Sequence, residues 1–94
     1  MNESVVKSSG NVFVDLGYSP EEAAILQMRA DLMASLRKFI KTRKITQSEA
    51  AEMLGVSQSR ISDLTRGKWE KFSLEMLIIL ATKAGMRVTL KTAA

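Results

Sequence analysis

The chain has 94 residues and carries 14 basic against 10 acidic side chains, a net charge of +4, with neither cysteine nor histidine. That length supports one compact core and little more. The missing thiols and imidazoles exclude a disulfide framework, a thiolate nucleophile, the commonest metal ligand and the usual general base at neutral pH.

Charge is unevenly placed: residues 1–28 hold one Lys against four carboxylates, whereas residues 29–71 hold ten basic and five acidic side chains. The positive field therefore sits mid-chain, where it favours an acidic partner. Residues 1–10, MNESVVKSSG, show no period and are expected to be a flexible arm. Residues 11–94 are expected to form one domain. Asn11 to Leu16, NVFVDL, is β-branched and aromatic and ends at Gly17, which suggests a short strand. Ser19, Pro20 and Glu22 then mark a helix start: a hydroxyl cap, Pro at the first helical position, and a carboxylate three residues after the cap. Ile25, Met28, Leu32, Leu36 and Phe39 follow at three- or four-residue steps. A helix to about Thr42 would be roughly 35 Å long, more than so small a domain needs for packing. Either its first half projects toward a second subunit or the helix breaks.

Thr46 and Glu49 form a second capping box, and Gly55 suits the left-handed residue that ends a helix after Leu54. Ser57 caps the next helix, with Val56 and Ile61 as its hydrophobic staple, and Gly67 closes it after Arg66. Phe72, Ser73 and Leu77 repeat the staple and cap, and Gly85 ends the last helix. The middle of that helix, MLIILA, is apolar nearly all round, which argues for burial on more than one side. Over residues 86–92, Met86, Val88 and Leu90 alternate with Arg87, Thr89 and Lys91, as in a half-buried strand. A lone strand needs a partner, either NVFVDL or the same strand of a second subunit.

The informative stretch is TQSEAAEMLGVSQSRISDLTRG, residues 46–67. Two short helices joined by a glycine turn cross closely when the first carries small residues, and Ala50 and Ala51 are available. Leu54, Val56, Ile61 and Leu64 fill the shared core, with Ile45 beside them. With Ile61 and Leu64 inward, Ser59, Ser62, Asp63 and Arg66 point outward, and Gln58, Arg60 and Thr65 lie on the flanks. A Gln can bond N6 and N7 of adenine and an Arg can grip O6 and N7 of guanine, so Gln58 and Arg66 are the candidates for base discrimination. Arg43, Lys44, Arg60 and Lys68 suit phosphates. Asp63 either accepts from cytosine or holds Arg60 or Arg66 in place. Lys38 and Lys41, with Arg43 and Lys44, are either a solvated face or further phosphate contacts. Trp69 is expected to pack its ring over the core beneath the loop, with phosphate contact through its indole N–H as the alternative.

This stretch resembles the helix-turn-helix of the lambda-repressor and Cro-like family, also called XRE. The match rests on Gln47 at the start of the first helix, Ala51 within it, Gly55 in the turn, Val56, Ile61 and Leu64 in the core, and Gln58 opening the second helix. The resemblance implies that Gln58, Ser59 and Ser62 face the major groove, and that Gln47 and the backbone amides at the helix starts, at Ser57 among them, hold phosphates. The wider pattern, NVFVDLG and RGKWEKFSLEMLIILATKAG, is similar to small regulators that include HigA-type antitoxins. That likeness implies autorepression and a ribonuclease toxin as partner.

The expected architecture is thus an all-α, lambda-repressor-like domain of four main helices with a short C-terminal strand. It would bind operator DNA as a two-fold homodimer through Ile79, Leu80, Met86, Val88 and Leu90. The longest apolar run, Met76 to Ala81, is far too short to cross a bilayer, and the N-terminus lacks the order of a signal peptide, so a cytoplasmic protein is expected. With no paired nucleophile and base, metal cluster or phosphate-binding glycine loop, neither enzyme activity nor a cofactor is expected.

Overall fold

The computed structural model describes residues 11–93 and is helical throughout its regular elements: α1 (Val12–Asp15), α2 (Pro20–Arg43), α3 (Gln47–Leu54), α4 (Gln58–Thr65), a 3₁₀ turn (Trp69–Lys71) and α5 (Leu74–Lys83). The arm expected over residues 1–10 lies outside the described residues.

The helices begin where hydroxyl caps stand. Ser19, Thr46, Ser57 and Ser73 each accept a hydrogen bond from the backbone N–H three residues on. At Thr46 the box is complete, because Glu49 Oε1 accepts from the Thr46 N–H at 2.8 Å. The stops are equally local. After α3 the chain turns through Gly55 at φ 71°, and Val56 N–H reaches back to the Ala51 carbonyl. After α4 it turns through Gly67 at φ 75°, and Lys68 N–H reaches the Asp63 carbonyl. A side chain at either position would strain the left-handed backbone that makes these returns possible.

α2 is unbroken over 24 residues, about 36 Å at 1.5 Å per residue, close to the 40 Å long axis of the molecule. Its first half carries α1 and the 3₁₀ turn, and its second half anchors α4; α5 also packs on it. One core gathers Met33, Leu36 and Ile40 of α2, Ala50, Ala51 and Leu54 of α3, Ile61 and Leu64 of α4, Phe72 of the loop, and Leu77, Leu80 and Ala81 of α5. Ala50 is fully buried, and its methyl is what lets α3 approach its neighbours so closely.

Two expectations are corrected, and the packing face of α2 is fixed. NVFVDL is not a strand: Asn11 accepts from the Phe13 N–H and donates to the Ala23 carbonyl, starting a single helical turn that is pinned to α2. Residues 86–93 carry no regular secondary structure and are not a strand, since nothing among the described residues offers them an edge to pair with. The core-facing line of α2 is Ala23, Leu26, Met33, Leu36 and Ile40, whereas Ile25 and Met28 are exposed. α2 thus carries two apolar lines, and among the described residues only one of them is completely buried.

Candidate nucleic-acid interface

α4 is an eight-residue helix held by two buried side chains, Ile61 and Leu64. At 100° per residue the opposite face falls on Ser59 and Arg66, which are exposed, as is Gln58 in the first turn. Ser62 and Asp63 flank that face and are half-buried. The result is a short row of amide, hydroxyl and guanidinium groups presented to solvent from a rigid base. Such groups can donate to and accept from base edges without first breaking internal bonds.

The two flanks of α4 differ. On one, Gln47 Nε2 approaches Thr65 Oγ1 at 3.3 Å, and Thr65 Oγ1 donates to the Ser62 carbonyl at 3.0 Å. This joins the N-terminus of α3 to the last turn of α4, so the exposed Gln47 amide and the α4 face form one surface. On the other flank, Arg60 Nη1 donates to the Lys71 carbonyl at 3.1 Å, and its guanidinium lies 5.5 Å from the centre of the Phe72 ring. Asp63 faces Lys71 Nζ at 4.0 Å, the single ion pair among the described residues. Arg60 and Asp63 therefore hold the loop that follows α4, and Asp63 is paired with neither Arg60 nor Arg66.

Ser57 is spent as the α4 cap. Lys68 is half-buried at the start of the 3₁₀ turn. Arg43 and Lys44 stand at the corner between α2 and α3; Arg43 is drawn over the Phe39 ring at 4.7 Å, and Lys44 is the one described non-glycine residue at positive φ, 55°. Of the residues expected to meet a second subunit, Leu80 is buried within the chain's own core and Met86 packs partly against it. Ile79, Val88 and Leu90 are exposed.

Trp69 packs rather than projects. Its ring meets Phe13 edge-on at 5.9 Å and Arg29 at 5.3 Å. Arg29 was not anticipated, yet it closes the loop: Nη2 donates to the Trp69 carbonyl and Nε to the Phe72 carbonyl, both at 2.9 Å. The signal was present in the sequence, because Arg29 lies four residues before Met33, a cation on the line that faces the core. Arg37, four residues after Met33, was missed in the same way.

With this geometry in hand, comparison with known proteins is direct. No curated protein matches the chain in sequence. A solved structure described as an XRE-family transcriptional regulator superposes with a TM-score of 0.71 at 29% identity, over 78% of this chain and 82% of that one. The family model for the helix-turn-helix domain matches residues 12–93. That match spans almost the whole described fold, so the chain belongs to the helix-turn-helix domain family.

Proposed function

We propose that the protein is a sequence-specific DNA-binding transcriptional regulator, a repressor that occupies a palindromic operator as a homodimer. One observation carries this reading: α4 stands on Ile61 and Leu64 and turns Gln58, Ser59 and Arg66 outward, with no side-chain partner among the described residues. In the proposed complex Gln58 and Arg66 discriminate bases, at roughly 1–3 kcal/mol each, with Ser59 and Ser62 alongside them. Gln47, the amides near Ser57, Lys68, Arg43 and Lys44 hold the sugar-phosphate backbone. Arg60 and Asp63 act indirectly, by fixing the loop.

The second subunit is proposed from the unspent apolar line. Met28 and Leu32 of α2, Leu74 and Ile78 of α5, and Val88 and Leu90 of the segment after α5 line one open groove of ≈ 570 Å³. A single recognition helix covers only a few base pairs, so a two-fold copy seated there would supply the second half-site about one DNA turn, roughly 34 Å, away. Light scattering at micromolar concentration tests it: a dimer is expected, and a monomer sinks the proposal. Occupation of the same groove by a small basic protein encoded beside the gene, in a pull-down after co-expression, would instead favour the antitoxin reading.

Operator recognition is tested by fluorescence anisotropy with duplex DNA from upstream of the protein's own gene, at two salt concentrations. Tight, salt-sensitive binding is expected. A variant carrying Gln58→Ala and Arg66→Ala should keep non-specific binding and lose the preference. A wild type with no preference for any promoter DNA would defeat the reading.

A further inference from the structure

Beside α4, on the Gln47–Thr65 flank, α2 and α4 enclose an open groove of ≈ 480 Å³ lined by Ala34, Arg37, Lys38, Ile40, Lys41 and Thr65. Three of those six residues are cations, all exposed. Among the described residues no carboxylate lies within ion-pair distance of any of them, Lys71 and Asp63 forming the one pair. Three cations within five residues of one helix repel one another, by an amount that falls when a polyanion is brought close. Ala34 leaves the upper end of the groove without a bulky side chain. Arg37 is aimed across the gap, since a methyl group added at Gly67 would stand 3.1 Å from its Nη1. Thr65 closes the groove on the α4 side, and the same hydroxyl is bonded to Gln47. The groove is therefore continuous with the surface through which α3 and α4 are proposed to meet DNA.

We infer that the Arg37–Lys38–Lys41 groove is a backbone-binding track, which takes the phosphates of the DNA strand just outside the bases that α4 contacts. This rests on the DNA-binding reading above and extends its footprint along α2, from Arg43 at its C-terminus back to Arg37. Two consequences follow from the chemistry. The groove offers cations and one hydroxyl but no amide or carboxylate fit to distinguish bases, so it contributes affinity and register without sequence preference. Each phosphate it neutralises releases counterions, so its share of the binding is visible as salt dependence.

The test is a salt titration of wild type, Lys41→Gln, Arg37→Gln and the double variant on two labelled duplexes, one from upstream of the gene and one of scrambled sequence. Circular dichroism melts confirm equal folding; Lys41 makes no described side-chain contact that folding needs, so it keeps the test usable if Arg37→Gln loosens the approach to Gly67. The slope of log Kobs against log salt is expected to become shallower by about one per residue removed, and by about two in the double variant. The loss of affinity should be the same factor on both duplexes. An unchanged slope for Lys41→Gln and for the double variant, with wild type binding normally, overturns this inference alone. A loss confined to the upstream duplex overturns it too, because it assigns base reading to the groove. A wild type that binds neither duplex overturns the DNA-binding reading itself.

Discussion

Replacing Arg29 with Ala removes two charge-assisted hydrogen bonds, to the Trp69 and Phe72 carbonyls at 2.9 Å each, and a cation–π contact with Trp69 at 5.3 Å. Hydrogen bonds from a charged donor contribute ~1.5–3 kcal/mol each, and the stacked cation adds ~0.5–1 kcal/mol. Arg29 is only half-buried, and the freed carbonyls recover some hydration. The sum therefore falls to about 2–3 kcal/mol for the guanidinium as a unit. With a urea m-value of ~1.5 kcal/mol/M, the unfolding midpoint should drop by roughly 1.3–2 M with no change in slope. Arg29→Lys should fall between the two, since an ammonium keeps the charge and the ring contact but cannot fork to both carbonyls. A loss under about 0.5 kcal/mol for Arg29→Ala, the size of an ordinary surface substitution, would refute the assignment of Arg29 as the clasp of this loop.

Lys44→Gly is expected to stabilise the fold by ~0.5–1 kcal/mol in the same urea assay, because Lys44 ends α2 in the left-handed region where a Cβ is penalised. Ala50→Leu should lower the melting temperature by about 10–20 °C, since a fully buried methyl within the core leaves no room for a larger side chain; a melt within a few degrees of wild type would show that α3 can slide outward. Thr46→Ala should cost ~1 kcal/mol, measured likewise, by opening the reciprocal box with Glu49.

The parts of the fold legible in the sequence are those set by neighbours within four or five residues. Ser19, Thr46, Ser57 and Ser73 at helix starts, and Gly55, Gly67 and Gly85 beyond helix ends, act through local hydrogen bonds and local φ, so α2 to α5 fall within a residue or two of where the sequence puts them. The segments at the two ends were misjudged for the opposite reason. Whether NVFVDL or MRVTLKT becomes a strand depends on an available edge, which no local pattern records. α2 shows a third kind of ambiguity, because Ile25, Met28 and Leu32 and the alternative line of Leu26, Met33 and Leu36 are both apolar at helical spacing. What selects between them is the placing of α1, the Trp69 loop and α5 around the rod. At the candidate site, exposure of Ser59 and Arg66 followed from the wheel alone, whereas Ser62 and Asp63, placed outward by the same wheel, are half-buried. The recruitment of Arg60 to the Lys71 carbonyl did not, since its acceptor is eleven residues away on a loop.

α3 and α4 are eight residues each, well short of the length at which an isolated helix holds together in water. Neither can exist in part. Their hydrogen bonds persist only while Leu54, Ile61 and Leu64 are seated against the residues of α2 and α5, so the surface proposed to read bases melts with the whole domain. A destabilised variant is accordingly a mixture of fully competent and fully incompetent molecules. Its weakened binding would appear as a smaller active fraction with unaltered sequence preference, which separates damage to the scaffold from damage to the reader in one titration.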